Sequence, residues 1–544
     1  MISSDTKYLL NEIYYNGEEK IINKEKITIN FINRFSMHQE IVCDIENDLV
    51  EVVKEKEADI NLTYFYKNDL KDDGYEIIID FEDIKIYSRN LRGLRFAQKL
   101  LEKLIILQDG EIIVPIVHIK DEPTFNIRGI IEGFYGKPWS FKDRFKAVDF
   151  LIENRMNTYM YAPKDDKYHR ELWREEYPQD MYEEIKKLKK YSDNNLIDFY
   201  YCLSPGNDID VTLKEDIDSV LRKIKAMLDI GVKDFALLMD DIDYSLNENH
   251  KIKFRRVGQV HSYICNEVYK FLKENILDFN LIMCPTEYWQ NYDTEYRKDI
   301  NENLVDEIKV FWTGYATIAE NIKEEDVKLI NESINREIVL WDNIPVNDME
   351  KDRGNLFLSP VQNRSIHMQD YNHIGIVANP MPQFNMSKLT LITYSHFMWN
   401  PERYNENLSL DIASRDIGGE FYLGIKAFSE LNANYLLRKT YTTSLKKAVN
   451  GKKFDILNKY FEDLELAINS IMNLDDYDML EEVAPWIDRA KRDITVYKYI
   501  VQNSHLYEKD NFVHGMFKKY FEELNSCNIK IGDNIIVKLL ETYY

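Results

Sequence analysis

Eight short apolar runs recur along residues 126–400, and most give way to a stretch with helical spacing. The runs are NIRGIIEGFYG (126–136), NTYMYAPKDD (157–166), DFYYCLSPG (198–206), DFALLMDD (234–241), NLIMCPTEY (280–288), IKVFWTG (308–314), EIVLWDN (337–343) and HIGIVANP (373–380). Each is apolar at its start and ends in polar, aromatic or Gly/Pro residues. After the first, Ser140 and Asp143 form an S-x-x-D capping pattern, and Phe141, Phe145, Val148 and Ile152 follow on one helical face. Eight β-then-α units are the count of a (β/α)8 barrel, in which functional groups gather at the C-terminal strand ends. A doubly wound open sheet is the rival, but eight similar polar strand ends fit one closed ring better. The expected class is α/β: a (β/α)8 barrel over residues 124–400, an N-terminal α/β domain over 1–123 and a helical domain over 401–544.

The flanking segments carry their own patterns. KITINFI (26–32), ADINLTYFY (58–66) and YEIIIDFEDIKIYS (75–88) read as strands. Asn90 opens an amphipathic stretch with Leu94, Ala97, Leu100, Leu101 and Leu104 on one face, and EIIVPIVHI reads as a further strand. KDEPTF (120–125) makes the boundary. Beyond residue 401, Phe454, Leu457, Phe461, Leu464, Ile468 and Ile471 form a core-facing helical stripe, and Trp486, Ala490, Ile494 and Tyr497 form another.

Charge and cysteine usage narrow the function. Of the 544 residues, 70 are Lys or Arg and 94 Asp or Glu, a formal charge of −24. Such an acidic balance argues against a nucleic-acid binder, which needs a basic face, and it makes the chain an awkward partner for a polyanionic substrate. Cys43, Cys202, Cys265, Cys284 and Cys527 show no CxxC spacing. They read as reduced thiols rather than a zinc framework. No basic segment followed by an apolar run opens the chain, so no signal peptide is read. The longest apolar run, 112–119, is too short to span a membrane. A cytoplasmic location is expected, with secretion as the alternative. No Walker A sequence, GxGxxG or HExxH occurs.

The strand ends hold the chemistry. Asp240 and Asp241 close the fourth run; strand alternation would send them to opposite faces, so both reach one site only if the second sits in the turn. Adjacent carboxyls repel, which favours one of them as a proton carrier. Asp243 reads instead as a loop or capping carboxylate. Lys164 either donates to a substrate oxygen or balances the acidic pair, unless a salt bridge with Asp165 or Asp166 occupies it. Trp341, Asn343, Asn347 and Asp348 combine ring, amide and carboxylate, a set suited to sugars. Tyr288, Thr313 and Asn379 stand at other strand ends. Gly133 and Gly136 bracket two aromatics, which suggests close approach of a ligand to the backbone.

Together these motifs resemble glycoside hydrolase family 84, the β-N-acetylglucosaminidases that include protein O-GlcNAcases. The resemblance rests on RGIIEGFYGKPW (128–139), NTYMYAPKDDKYHR (157–170), SPG (204–206), FALLMDDID (235–243), CPTEY (284–288), FWTG (311–314), WDNIPVND (341–348) and ANP (378–380). It implies a retaining mechanism in which the acetamide of the sugar is the nucleophile, unlike the usual two-carboxylate scheme. By motif position, Asp240 would orient the acetamido N–H, and Asp241 would act as general acid and then base. The Gly133 backbone and Lys164 would bind sugar oxygens. Asn343 would meet the acetamide in a pocket of Tyr288, Thr313 and Trp341, while Asp348 and Asn379 would hold the outer hydroxyls. No metal or cofactor is implied. The partners implied are GlcNAc-containing glycoconjugates or glycoproteins, with no nucleic acid and no membrane, and the helical domain is a candidate surface for a homodimer. The alternatives are an endo-acting hyaluronidase and a GlcNAc-binding barrel without turnover.

Overall fold

A computed structural model describes residues 2–35, 45, 47–53, 58–205, 208–433, 436–437, 439–508 and 511–543. Cys43 and Gly206 lie outside the described residues.

The first strands form one mixed sheet: β1 (Glu12–Ile22), β2 (Ile27–Arg34), β3 (Val50–Val53), β4 (Ile60–Tyr66), β5 (Tyr75–Ile79), β6 (Asp83–Ser88), β7 (Ile106–Gln108) and β8 (Glu111–Asp121). Their order is β1-β8-β5-β6-β4-β2-β3, with β7 paired to β8. YEIIIDFEDIKIYS is thus two antiparallel strands, turning between Ile79 and Asp83. The helix Leu91–Leu104 begins as expected: the Asn90 side chain accepts from the Gly93 N–H, and Leu94, Ala97, Leu100, Leu101 and Leu104 are buried.

The eight runs form eight parallel strands: β9 (Ile127–Glu132), β10 (Thr158–Tyr161), β11 (Asp198–Leu203), β12 (Asp234–Leu238), β13 (Asn280–Cys284), β14 (Lys309–Trp312), β15 (Ile338–Asp342) and β16 (His373–Ala378). Each pairs with the next and β16 closes on β9, so the barrel is complete. Ser140 and Asp143 make the reciprocal capping box at the start of the helix Phe141–Glu153. The barrel interior is a separate apolar cluster that includes Ile131, Met160, Cys202, Leu238 and Phe311, as a filled barrel requires.

The sheet and the outer layer of the barrel share one continuous core. Two buried carboxylates fasten that joint. Asp73 accepts from Arg128 (2.7 Å), Asn157 (2.9 Å) and Arg92 (3.1 Å). Asp121 accepts from Tyr75 (2.7 Å), the Trp399 indole (2.9 Å) and Arg155 (3.0 Å). After the barrel the chain is helical, from Glu406–Gly418 to Ile535–Glu541. Leu457, Phe461, Leu464, Ile468 and Ile471 are buried there, as are Trp486, Ala490, Ile494 and Tyr497. This second core also takes in Leu356, Phe357 and Leu358 from the segment that follows β15. Among the described residues, no helix is long and apolar enough to cross a membrane.

Candidate active site

Strand β12 stops at Leu238, so Met239, Asp240 and Asp241 lie in the turn beyond it. The turn is pinned to β13: the Met239 N–H donates to the Cys284 carbonyl (2.8 Å), and Thr286 Oγ1 donates to the Met239 carbonyl (2.6 Å). Asp241 then takes a left-handed conformation, φ +49°, an uncommon state for a residue with a side chain. That bend breaks the alternation and turns both carboxylates into one cavity.

The two carboxylates are in different surroundings. Asp240 is only 5% exposed. Its Oδ2 accepts from Lys164 Nζ at 2.5 Å, while its Oδ1 is buried with no partner among the described residues. Burial works against the charge on Lys164, but Asp240, together with Tyr135 and Asp241, outweighs it and raises the pKa of the amine; Lys164 therefore stays an ammonium. Its Nζ also stands 5.6 Å from the Trp341 ring centroid. Asp241 is exposed, with one phenol on each oxygen. The Tyr135 hydroxyl donates to Oδ2 (2.7 Å) and the Tyr288 hydroxyl to Oδ1 (3.3 Å). Burial pushes both phenols up, so both remain protonated donors. Arg170 braces this arrangement by donating to the Tyr135 hydroxyl oxygen (2.8 Å) and to the Asp241 carbonyl (2.9 Å).

The opposite wall is built of linked amides. Asn379 Nδ2 donates to Asn343 Oδ1 (2.9 Å), and Asn343 Nδ2 donates to the Thr317 carbonyl (2.8 Å). The Gly133 N–H donates to Asn379 Oδ1 (3.3 Å), and a Cβ at Gly133 would stand 2.5 Å from Trp341 Cζ2. The glycine lets the indole reach the floor of the cavity. Asp348 Oδ2 accepts the Tyr135 N–H (2.8 Å), and burial raises the pKa of this carboxyl. Thr313 Oγ1 donates to the Ala316 carbonyl (3.0 Å).

Ten of the residues singled out in the sequence line the same cavity: Gly133, Lys164, Asp240, Asp241, Tyr288, Thr313, Trp341, Asn343, Asp348 and Asn379. Its volume is about 440 Å³, within the range of small-molecule sites. A buried, neutralised carboxylate with one open acceptor beside a solvent-accessible carboxylate can receive an amide N–H and move a proton at adjacent points. The family model described as beta-N-acetylglucosaminidase matches residues 128–430 of this chain. The chain belongs to that family.

Individual relatives agree with the family assignment. Protein O-GlcNAcase from Rattus norvegicus and that from Mus musculus are each 33% identical to it over 271 residues, 49% of this chain. That stretch is 29% of each relative, so the chain spans less than a third of their length. Among solved structures, a mutant of the Thermobaculum terrenum O-GlcNAc hydrolase has a TM-score of 0.68 at 26% identity, over 77% of this chain and 94% of that one. The structure of CpGH84B shares the fold over 98% of this chain and 99% of its own, with a TM-score of 0.79 at 24% identity.

Several neighbours of this family site depart from the local sequence reading. Lys164 pairs with Asp240 and not with Asp165 or Asp166. Asp166 is instead buried, accepting from the Tyr161 and Tyr177 hydroxyls (2.8 Å each). Asp342, between Trp341 and Asn343, is also structural: Arg364 grips both its oxygens at 2.7 and 2.9 Å. Asn347 faces away from the sugar set and donates to the Asn355 carbonyl. Tyr135, Arg170, Thr317 and Arg353 had no assigned role. Tyr135 had a signal in its bracketing glycines; Arg170 lies in an irregular stretch with no periodicity to mark it.

Proposed function

We propose that this chain is a retaining exo-β-N-acetylglucosaminidase that uses the substrate's own acetamide as nucleophile. The observation that carries the reading is Asp240, with one oxygen neutralised by Lys164 and the other buried and open. In this reading Oδ1 accepts the acetamido N–H, which makes the acetamide oxygen a better nucleophile toward the anomeric carbon. As that oxygen bonds to C1, the glycosidic C–O bond breaks and Asp241 gives its proton to the leaving oxygen. The product is a cyclic oxazolinium ion, whose positive charge faces Asp240. Asp241, now ionised, takes a proton from water, which attacks C1 from the face the aglycone left as the C1–O bond to the acetamide breaks and the acetamide is restored. Two inversions give net retention. Tyr135 and Tyr288 hold the Asp241 carboxyl in place by donating to its two oxygens.

The substrate class that follows is a terminal β-linked GlcNAc, including GlcNAc O-linked to protein Ser or Thr. The names of the Rattus norvegicus and Mus musculus relatives support the protein-linked case. A charge of −24 weighs against polyanionic hyaluronan, and the intact Asp240–Asp241 pair weighs against a barrel that binds without turnover. An aryl N-acetyl-β-glucosaminide should be hydrolysed, and a thiazoline mimic of the oxazoline should inhibit competitively. Absence of both turnover and thiazoline binding would sink the proposal; depolymerisation of hyaluronan in a viscosity assay would replace it with the endo-acting one.

A further inference from the structure

The segment between β15 and β16 belongs to two structures at once. It leaves the barrel at Asp342, carries Asn343 and Asp348 past the sugar cavity, and turns at Gly354 with φ +88°. It next sinks Leu356–Leu358 into the helical core and returns to Asp342 through Arg364. The turn is held from the helical side. The Trp486 indole N–H donates to the Gly354 carbonyl at 2.9 Å, and the Lys530 backbone N–H donates to the same oxygen at 3.0 Å. A Cβ at Gly354 would stand 1.9 Å from the Asn528 carbonyl oxygen, so backbone meets backbone there. From this anchor to the cavity the loop is cross-braced. Asn347 donates to the Asn355 carbonyl (2.6 Å) and Arg353 Nε to the Asp348 carbonyl (2.9 Å). A shift at Gly354 therefore has few soft bonds to absorb it before Asp348.

We propose that Trp486 and Gly354 are positioning residues for sugar recognition: through them the helical region fixes Asp348 and thereby the reading of the outer hydroxyls. The inference rests on the function proposed above, together with the outer-hydroxyl task that the family resemblance gives Asp348. It makes the helical region part of the binding site although none of its residues lines the cavity among those described.

The test uses Trp486→Phe, which keeps a ring and removes the N–H, and Gly354→Ala. Each is assayed on an aryl N-acetyl-β-glucosaminide and on its 4-deoxy and 6-deoxy analogues, beside wild type and Asp348→Ala. For Trp486→Phe, KM on the parent substrate should rise roughly three- to tenfold, the scale of one displaced hydrogen bond, with kcat little changed. The deoxy penalty in kcat/KM should shrink by a similar factor, because the hydroxyl and its reader no longer meet. Gly354→Ala should do the same more strongly; should it fail to fold, Trp486→Phe carries the test alone. A wild-type deoxy penalty in Trp486→Phe would overturn the inference, even with a lowered Tm, provided Asp348→Ala abolishes that penalty. A penalty that survives Asp348→Ala, or a wild type without turnover, would instead overturn the underlying reading and the inference with it.

Discussion

Asp241→Ala should lose roughly 10²–10⁴ in kcat/KM on a substrate with a poor leaving group such as a methylumbelliferyl or serine glycoside, the scale of general acid catalysis. On a dinitrophenyl glycoside, whose leaving group departs unprotonated, the loss of that first step should be far smaller. Asp240→Ala should behave differently. Removing it strips the acetamide of its acceptor and leaves Lys164, which pairs with it at 2.5 Å, as a buried uncompensated ammonium. The loss should be roughly 10²–10³ or more and nearly the same for both leaving groups, as for a lost electrostatic stabiliser. Their environments predict this asymmetry: Asp240 is buried with one oxygen occupied, and Asp241 is exposed with a phenol on each oxygen. The measurement is a plot of log kcat/KM against leaving-group pKa for both variants. Equal slopes would contradict the division of labour.

The second large effect lies away from the site. Asp73 is buried and receives Arg92 and Arg128 together, joining the N-terminal sheet to the first barrel strand. Asp73→Ala leaves those guanidiniums without their shared counter-charge, a loss of about 3–5 kcal/mol, read as a fall in the midpoint of the first unfolding transition. The same residue sets an acid dependence. Burial alone would raise its pKa, but Arg92 and Arg128 hold the carboxyl well below the usual range. A carboxyl with a depressed folded-state pKa contributes stability that is complete above its unfolded value of about 3.9. That contribution is lost as pH falls from there toward the folded value. Wild type should thus destabilise steeply below about pH 4, and Asp73→Asn should show a shallower acid limb on a lower plateau. Identical slopes in urea titrations between pH 3 and 6 would contradict this.

Which parts of the molecule can be read from sequence follows from how local their causes are. Every barrel strand is a consecutive apolar run, so all eight were legible, and Asp240–Asp241 were conspicuous because a charged pair follows five apolar residues. The helix caps at Asn90 and Ser140 were legible for the same reason: a cap is decided within four residues. β1 was not, because polar residues Asn16–Glu19 interrupt its alternation, at the place where its register against β8 shifts. The partner of Lys164 was ambiguous since two carboxylates follow it directly. The structure resolves this by burying Asp166 among tyrosine hydroxyls and bringing in Asp240 from 76 residues away. Arg170 and Trp486 act through contacts that only the fold creates. The one trace of the Trp486 contact is the apolar triplet Leu356–Leu358 just after the polar stretch 350–355, a segment seeking a core that is not the barrel's own.

The central claim is that the nucleophile belongs to the substrate. Its most direct test is kcat/KM for aryl glucosaminides bearing N-acetyl, N-fluoroacetyl, N-difluoroacetyl and N-trifluoroacetyl groups. Fluorine withdraws electrons from the amide oxygen and barely changes its size. If that oxygen attacks C1 while Asp240 accepts the amide N–H, the rate should fall steeply and in order along the series. A flat series would place the nucleophile on the protein and contradict the account.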